Sequence, residues 1–385
     1  MFQLFAVSAP GLEPFTAQEL HALGLTPASL QSSMTSAERE YETGGAEFEG
    51  SLRDLYLANL HLRTASRILV RLGSFRASRF TELIRKAAGL PWEQYLSTET
   101  PVALRVTCRS SRLYHQRAVA ERVAQSMGQR LGQVPPLRKF DEEDTGSLPQ
   151  LVLVRIVGDH CTISVDSSGE LLHRRGYRLA TAKAPLRETL ASAMLLAARW
   201  DGVSPLMDPF CGSGTIPIEA ALFARGIPPG YRRTFAFMNW PTFDRALWAT
   251  LRSSLPASQQ GSSPRIFASD RDAGAIRAAQ VNAARAGVAD GIHFSRRAVS
   301  SIDPLPGPGW IVTNPPYGKR LSSNRDLRNL YAQMGNTFRL KCPGWTVTML
   351  CDSSQLVRAT RLKFDEGIST TNGGLKVTLF VGHVD

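Results

Sequence analysis

The chain has 385 residues, 43% of them hydrophobic, which is long for one domain and sufficient for two or three packed ones. No apolar run approaches the roughly 20 residues of a membrane-spanning helix, and the start, MFQLFAVSAPGLEPF, has no basic leader. The five cysteines are scattered without a C-x-x-C pair, which disfavours a zinc site or a disulfide framework. We therefore expect a cytoplasmic protein without a membrane segment or a bound metal.

The formal net charge of +12 is unevenly distributed. Residues 1–50 contain one arginine and seven glutamates, whereas residues 51–130 contain fourteen lysines and arginines against five acidic residues. Most of these cations are arginines, whose planar guanidinium suits forked contacts to phosphate. The basic segment favours a nucleic-acid partner, and the alternative is a surface that only keeps the protein in solution. The pattern does not indicate an oligomeric state.

Short strands and helices alternate in the first part of the chain. Hydrophobic spacing predicts strands in QLFAVSA, ASRILVRLGSF and VALRVTCRS, and helices in LEPFTAQELHALG, SLRDLYLANLHLR (capped by Ser51) and RFTELIRKAAGLPW. The basic helix RLYHQRAVAERVAQSMGQRLG carries Arg117, Arg122 and Arg130, which either contact nucleic acid or form a solvated face. QLVLVRIVGDHCTISVDSSG predicts two strands about a tight turn. We expect a mixed α+β module that ends near Gly169.

The second part has the pattern of a doubly wound α/β sheet. Predicted strands in SPLMDP, RIFASD, GIHFS, GWIVTNPP and GWTVTMLCD alternate with helices in TIPIEAALFARG, RDAGAIRAAQVNAARAG and RDLRNLYAQMGNTFRLK, before a last strand in GLKVTLFVGHV. This alternation predicts a mostly parallel sheet. Arg174, Arg175 and Arg178 lie in the junction between the two parts, where they either contact nucleic acid or pack the linker.

The stretch MDPFCGSGTIPIEAA, residues 207–221, places an acid at a strand end, then small flexible residues, then the start of a helix. Ligands of doubly wound sheets bind at the carboxyl ends of the strands, and glycine lets the backbone approach a ligand closely. The stretch is neither a Gly-Lys-Ser/Thr phosphate loop nor G-x-G-x-x-G. We interpret Cys211 within it as a small packing residue rather than a nucleophile.

This D-P-x-C-G-S-G-T stretch resembles the first cofactor motif of class I S-adenosylmethionine-dependent methyltransferases. The resemblance implies that the loop holds the methionine half of the cofactor, with these residues lining it: Asp208, Phe210, Gly212, Gly214 and Thr215. It also implies that Pro185 and Glu188 belong to the cofactor site, with Glu188 approaching the amino group. The alternative for Glu188 is a first-turn acid that the helix dipole favours.

A second acid, Asp270 in FASDRDAGAI, ends the next predicted strand. A carboxylate can accept hydrogen bonds from both hydroxyls of a ribose, and the resemblance implies this role; the alternative is a helix N-cap. Many such enzymes have an acid after the third strand that meets the adenine amine, but here Arg296, Arg297 and Ala298 occupy that stretch and Asp303 comes late. We therefore assign no side chain to the adenine.

Asp208 and Asp270 are 62 residues apart, whereas a simple β-α-β unit needs about 20–30. The extra segment, IPPGYRRTFAFMNWPTFDRALWATLRSS, and the earlier LLHRRGYRLATAKAPLRET resemble RNA guanine-N2 methyltransferases that carry an N-terminal THUMP domain. The resemblance covers essentially the whole chain. It implies a ferredoxin-like region at 1–65, a THUMP RNA-binding domain at 66–168, a linker at 169–190, and a Rossmann-like methyltransferase domain with a seven-stranded sheet at 191–385.

The stretch IVTNPPYGKRL, residues 311–321, contains Asn-Pro-Pro-Tyr. This resembles the motif that ends a strand in methyltransferases that act on exocyclic or amide nitrogens. The side-chain oxygen of Asn314 and the carbonyl of Pro315 can accept the two hydrogens of an amine, and consecutive prolines hold that carbonyl rigid. We expect an exposed Tyr317 ring that stacks on the base. The alternative is a proline-terminated strand with a capping asparagine. Lys319 and Arg320 either meet phosphate or are solvated loop charges.

Together these features predict a methyltransferase that moves a methyl group from S-adenosylmethionine to the exocyclic N2 amine of a guanosine. Structured RNA would bind through the basic THUMP region, with 23S rRNA favoured over tRNA. The same core acting on a DNA adenine amine or a protein glutamine amide remains an alternative. Another alternative is a non-catalytic RNA-binding factor on a methyltransferase scaffold.

Overall fold

The computed structural model describes residues 1–26, 44–141, 148–178, 186–253, 265–318 and 324–385. The chain divides into two compact units: the first comprises Met1–Ser8, Thr16–Leu172 and Arg233–Ser254, and the second comprises Ala9–Phe15, His173–Arg232 and Leu255–Asp385. Pro185, Lys319 and Arg320 lie outside the described residues. Within the described ranges, no helix combines the length and the apolar character needed to cross a bilayer.

The first unit contains a six-stranded sheet. Its strands are β1 (Phe2–Val7), β2 (Gly45–Gly50), β3 (Arg67–Arg76), β4 (Val102–Arg109), β5 (Gln150–Val157) and β6 (His160–Asp166). Their spatial order is β2-β1-β3-β6-β5-β4, with β4 and β5 parallel and the other neighbours antiparallel. Because β3 pairs with β1 on one side and β6 on the other, the predicted ferredoxin-like and THUMP regions share a continuous sheet.

Among the described residues before position 132, the α-helices are α1 (Glu13–Ala22), α2 (Leu52–His61), α3 (Phe80–Ala88) and α4 (Gln116–Leu131). The predicted cap of α2 is confirmed: Ser51 Oγ accepts from the Asp54 backbone N–H at 3.4 Å, and the Asp54 carboxylate accepts from the Ser51 backbone N–H at 2.8 Å. This reciprocal capping box satisfies two helix-terminal donors at once. Leu55, Tyr56 and Leu60 of α2 are fully buried.

The second unit contains a mostly parallel sheet, as predicted. Its strands are β7 (Leu206–Asp208), β8 (Ile266–Asp270), β9 (Ile292–Arg296), β10 (Trp310–Thr313), β11 (Thr346–Cys351), β12 (Lys363–Phe364), β13 (Ile368–Asn372) and β14 (Leu375–His383). The order is β12-β14-β11-β10-β7-β8-β9, and β14 runs antiparallel to its neighbours. β12 and β13 pair with successive stretches of the same edge of β14, so together they occupy one strand position at the edge of the sheet. The eight strands therefore form a sheet that is seven strands wide.

The remaining helices are α5 (Glu188–Ala197), α6 (Thr215–Ala224), α7 (Arg245–Ser253), α8 (Ala273–Ala286), α9 (Asn324–Lys341) and α10 (Ser354–Ala359). In the second unit α6 packs on both α5 and α8, and α9 packs on α10. Ile311 and Val312 of β10, the central strand of the order, are fully buried. A buried, mostly parallel sheet of this kind holds functional side chains at the carboxyl ends of its strands.

The long segment before β8 does not fold with the sheet that follows it in sequence: residues 233–253, including α7, belong to the first unit. The Phe237 ring stacks on Tyr56 at 4.4 Å between centroids, and Trp248 meets the same tyrosine edge-on at 5.8 Å. The Trp240 indole N–H donates to Gln150 Oε1 at 2.7 Å. The predicted methyltransferase domain at 191–385 therefore includes a segment that packs in the first unit, because the aromatic side chains of this segment complete the core of that unit.

Candidate active site

Three predicted site residues lie at neighbouring strand ends. Asp208 is the last residue of β7, Asp270 is the last residue of β8, and Asn314 directly follows β10. The three strands are parallel neighbours in the order β10-β7-β8. Neighbouring strands are 4.7–4.9 Å apart, so these positions span about 10 Å along one edge of the sheet.

The glycine-rich loop between β7 and α6 is fastened to β8. The Gly212 backbone N–H donates to Asp270 Oδ2 at 3.0 Å, and the Cys211 N–H donates to the Ser269 carbonyl at 3.0 Å. On the other side the Asn282 amide of α8 donates to the Ser213 carbonyl at 3.0 Å. Asn282 has no signature in the sequence motifs, because its role depends on how α8 packs. The loop is thus held in place by neighbours on two elements.

Asp208 is 1% exposed and links β7 to β10. Its Oδ1 accepts from the Thr313 hydroxyl at 2.7 Å and from the Phe210 backbone N–H at 3.1 Å. Burial raises the pKa of Asp208 to about 7, although the Thr313 and Phe210 hydrogen bonds act in the opposite direction. Asp208 therefore fixes the start of the loop from inside the protein. Its direct contact with a cofactor stays a prediction, and Thr313 is a supporting residue that the sequence did not single out.

The raised pKa of Asp208 predicts how stability varies with pH. Because the folded-state value lies above 3.8, the folded protein binds this proton more tightly, so the free energy of unfolding falls as the pH rises from 3.8 to about 7. The fall is at most about 4 kcal/mol at 1.36 kcal/mol per pKa unit. Asp208→Asn keeps an oxygen for both donors, and we expect it to flatten this dependence in unfolding measurements at several pH values. An unchanged pH slope contradicts this.

Glu188 opens α5 and is buried against Arg178. The Arg178 guanidinium lies 3.0 Å from Glu188 Oε1 and also donates to the Thr215 hydroxyl at 2.9 Å. Burial raises the pKa of Glu188 to about 7, opposed by Arg178 and reinforced by Glu219. Arg175 is itself buried, 3.7 Å from Glu219. Of the two interpretations of these arginines, linker packing therefore holds for Arg175 and Arg178, and Glu188 and Thr215 share one buried polar network.

The Asn314 side chain presents an acceptor without a donor. Its Oδ1 is buried and accepts no hydrogen bond from the described part of the chain. A buried polar oxygen left unpaired costs about 1–3 kcal/mol, so such atoms are uncommon in folded proteins and point to a missing partner. Pro315, which follows, is buried. The turn after β10 therefore holds an acceptor ready for a hydrogen-bond donor that the described residues do not supply.

Tyr317 corrects one expectation, because its ring is not exposed. The residue is 6% exposed, packs in the core of the second unit, and its hydroxyl oxygen accepts from the Asn372 amide at 3.1 Å. Asn372 ends β13, 55 residues further along the chain, so no local pattern could reveal this contact. Tyr317 therefore anchors the turn that contains the two prolines to β13.

An open groove of about 1290 Å³ begins beside this turn. It passes between α9 and α10, and its wall includes Gly318, Asp352 and three exposed arginines, Arg328, Arg358 and Arg361. A second cavity, of about 350 Å³, lies beside β8 and β9 and is lined by residues that include Ser269, Phe294, Arg297 and Asp303.

Comparison with known proteins assigns the chain to a family. A family profile described as the RMKL-like methyltransferase domain matches residues 175–380, more than half of the chain. The chain belongs to the RMKL-like methyltransferase family. A second profile, described as the RlmL ferredoxin-like domain, matches residues 3–69, which agrees with the ferredoxin-like fold expected for this region.

Relatives of this family member match over nearly its whole length. The Synechocystis protein "Putative RNA methyltransferase slr0064" is 34% identical over 97% of this chain and 95% of that protein. The "Ribosomal RNA large subunit methyltransferase K/L" of Syntrophotalea carbinolica is 34% identical over 98% of this chain. The chain spans about half of that relative, 53% of its length.

Two solved structures share the fold along the full chain. The crystal structure of a "predicted N6-adenine-specific DNA methylase" from Listeria monocytogenes has a TM-score of 0.87 and 33% identity, covering 100% of this chain and 96% of that one. The structure of SMU.472 complexed with SAH has a TM-score of 0.84 and 28% identity, covering 100% and 98%. Family and neighbours together identify S-adenosylmethionine as the cofactor.

The residues of this RMKL-like methyltransferase fit that cofactor. Gly212 has φ of +52°, and a Cβ built on it meets no heavy atom of the described chain within 4 Å, so the loop borders open space. Asp270 is partly exposed, and each of its oxygens accepts one backbone N–H, from Gly212 and from Asp272, which leaves further lone pairs for a diol.

Replacing either loop glycine, Gly212 or Gly214, with alanine should impair the protein, but for different reasons. Gly214 has a φ of +89°, and a Cβ added to it would lie 3.0 Å from the Ala279 Cβ. We therefore expect Gly214→Ala to destabilise the folded protein. Gly212→Ala has room and costs only about 1–2 kcal/mol of backbone strain, but its methyl group occupies the open space beside the loop. We expect it to fold and to lose cofactor affinity. Thermal unfolding and calorimetric titration with S-adenosylmethionine separate the two, and identical behaviour of both variants contradicts this assignment.

Proposed function

We propose that this protein methylates the exocyclic N2 amine of a guanosine in structured RNA, with 23S rRNA favoured. The observation that carries the proposal is the buried Asn314 Oδ1 without a donor at the end of β10. An exocyclic amine of a nucleobase supplies the N–H group that this oxygen lacks. The acceptor lies one strand from the cofactor loop, so amine and cofactor can meet at the same sheet edge.

The proposed chemistry needs orientation more than a strong base. Bound S-adenosylmethionine supplies an electrophilic methyl group on its sulfonium. Asn314 Oδ1 accepts one amine hydrogen and the Pro315 carbonyl accepts the other, which directs the nitrogen lone pair toward the methyl carbon. As the N–C bond forms and the S–C bond breaks, the nitrogen becomes cationic and then loses one proton to water. Alignment and preorganised dipoles would supply most of the acceleration.

The other site residues have supporting roles in this proposal. Asp270 accepts from the ribose hydroxyls, while Phe210, Gly212, Gly214 and Thr215 surround the methionine half. We assign Glu188 and Pro185 to the end of the cofactor that carries the amino group. Tyr317 enters as the residue that anchors the Pro-Pro turn through Asn372, and its stacking on the target base stays a prediction.

The adenine pocket is assigned to the cavity beside β8 and β9. Two of its lining residues adjoin Asp270, since Ser269 precedes it and the Arg297 backbone N–H donates to the Asp270 carbonyl at 3.0 Å. Asp303, which comes late in the sequence, lines the same cavity. This supports an adenine site formed by the connection between β9 and β10 rather than by an acid at the end of β9.

Two observations support a nucleic acid as the substrate, and a third supports RNA. The first is the excess of arginine in residues 51–130. The second is the row of Arg328, Arg358 and Arg361 in the groove that begins at the proposed catalytic turn, suited to the phosphates that flank a target nucleotide. The third is the RNA methyltransferase activity named for the Synechocystis and Syntrophotalea relatives. We assign residues 66–168 to RNA capture as a THUMP domain, and we place the protein in the cytoplasm.

An alternative acceptor is the N6 amine of adenine in DNA, the activity named for the Listeria structure. The Asn314 acceptor fits either amine, because both are conjugated –NH₂ groups. The amide nitrogen of a protein glutamine has the same chemistry. The alternatives therefore differ in what delivers the amine. The resemblance of residues 66–168 to a THUMP domain favours RNA over DNA, and the basic segment at 51–130 favours a nucleic acid over a protein.

Methylation of defined pools distinguishes these substrates. We would incubate the full-length protein and S-adenosylmethionine carrying a tritiated methyl group with large-subunit rRNA, tRNA, genomic DNA or total protein from cells lacking the gene. We expect label in the rRNA, released as N2-methylguanosine on digestion, and none with Asn314→Ala protein. Label confined to tRNA would identify tRNA instead of rRNA as the substrate. Label confined to DNA or protein would contradict the proposal.

A further inference from the structure

The loop between β4 and α4 presents an aromatic side chain to solvent on the first unit. Tyr114 is 70% exposed, whereas Tyr231, the next most exposed aromatic residue among those described, is 42% exposed. The Tyr114 ring lies beside His115, with 4.9 Å between centroids and 34° between the ring planes. Leu113, immediately before it, is buried and anchors the loop.

This loop is held in an unusual backbone conformation. Ser110 (φ 50°) and Asp159 (φ 64°) both occupy the left-handed region, which non-glycine residues rarely adopt. The Asp159 carboxylate accepts from the Ser111 hydroxyl and from the Arg112 backbone N–H, both at 2.8 Å. The Gly158 backbone N–H donates to the Arg109 carbonyl at 3.2 Å. Strained residues persist where their neighbours fix them, so Tyr114 is presented by a preorganised loop.

Exposed arginines precede Tyr114 in the sequence. Arg109 and Arg112 lie five and two positions before it, and both are exposed. Along α4 the predicted nucleic-acid contacts are engaged internally: Arg117 pairs with Glu121 at 3.3 Å, Arg122 donates to Gln125, and Arg130 forms two hydrogen bonds with the Glu93 carboxylate. The exposed arginines outside these contacts, Arg109 and Arg112, therefore lie at the loop that presents Tyr114.

We propose that Tyr114, with Arg109 and Arg112, forms a platform on which an unpaired RNA base stacks. An exposed aromatic ring among arginines is the arrangement that binds single-stranded nucleic acid, the ring taking the base and the cations its phosphates. A protein partner would favour apolar neighbours, but the exposed Leu137 lies at the opposite end of β4, beside Val102. The inference deepens the proposed function and rests on RNA being the substrate.

Binding of two RNA probes tests the platform in the full-length protein. The probes are a fluorescein-labelled single-stranded oligoadenylate and a blunt-ended RNA duplex of the same length. Stacking is worth about 1–3 kcal/mol per base, so we expect Tyr114→Ala to weaken oligoadenylate binding about 5- to 140-fold and to leave duplex binding unchanged. Tyr114→Phe should bind as the wild type does, and Tyr231→Ala is the matched control for an exposed tyrosine.

A Tyr114→Trp variant adds a direct signal, because a base stacked on the new indole should quench its fluorescence. Equal oligoadenylate binding by wild type and Tyr114→Ala overturns the platform while leaving the proposed function intact. If Tyr114→Ala weakens binding of the duplex as much as binding of the oligoadenylate, the proposed preference for an unpaired base is wrong. Failure of the wild-type protein to bind oligoadenylate also overturns the platform, whereas the methylation assay on large-subunit rRNA tests the proposed function separately. Thermal unfolding should be unchanged in every variant, since the ring packs against little of the protein.

Discussion

Replacing Asn314 with alanine should reduce kcat by about 10²–10³-fold or more while S-adenosylmethionine binds with unchanged affinity. The expected size is that of removing one preorganised polar group from an active site, about 2.7–4 kcal/mol. The reason is the buried Oδ1, which the described chain leaves without a donor and which we assign to the substrate amine. Single-turnover methylation and calorimetric titration with the cofactor measure the two quantities separately.

The matched control for Asn314→Ala is Asn239→Ala, an exposed asparagine of the first unit outside every proposed site. We expect this control to retain wild-type turnover. Loss of cofactor binding in a folded Asn314→Ala protein would show that the amide serves the cofactor instead. Retained turnover would remove Asn314 from the reaction altogether.

Replacing Asp270 with alanine should weaken S-adenosylmethionine binding by about 10- to 100-fold. The variant loses a charged acceptor for the ribose, worth about 1.5–3 kcal/mol for a hydrogen bond to a charged group. It also loses the tether that Asp270 Oδ2 provides to the Gly212 N–H. Calorimetric titration with S-adenosylmethionine and with S-adenosylhomocysteine should give the same fall, because both ligands carry the same ribose.

A useful control for Asp270 is Asp290→Ala, an exposed acid of the same unit that pairs with Arg225 at 2.9 Å. It removes a carboxylate of the second unit without touching the loop after β7, so cofactor affinity should not change. If Asp270→Ala binds the cofactor as tightly as wild type does, the assignment of the ribose to Asp270 is wrong.

The strand-end positions of the site were predictable from the sequence. Apolar runs followed by Asp208, Asp270 and Asn314 mark the carboxyl ends of parallel strands, and these ends must meet at one edge of the sheet. The alternation of strands and helices likewise predicted the mostly parallel sheet. Local patterns sufficed here because each residue's position follows from the strand that precedes it.

Contacts between distant segments were not predictable. The hydrogen bond from Asn372 to Tyr317 depends on how β13 joins the edge of β14, and the hydrogen bond from Thr313 to Asp208 depends on the register of β10 against β7. Tyr317, whose ring the sequence predicted to be exposed, therefore proved to be buried and to anchor the turn after β10. Arg175 was ambiguous for the same reason, since its partner Glu219 lies 44 residues away.

The aromatic segment before β8 shows a further limit of local patterns. Its phenylalanines and tryptophans indicate that the segment is buried, but hydrophobicity does not specify against which core. In the structure Phe237 and Trp248 pack around Tyr56 in the first unit. A segment that leaves one unit and returns can be recognised only from contacts across nearly 200 positions of sequence.

The central claim is methylation of a guanosine N2 amine in RNA, and the most direct measurement is mass-spectrometric mapping of modified nucleosides in a deletion strain. We expect one N2-methylguanosine to be missing from 23S rRNA and restored by the wild-type gene but not by the Asn314→Ala gene. Unchanged N2-methylguanosine in both rRNA and tRNA, or loss of an adenine methylation from DNA instead, would contradict the account.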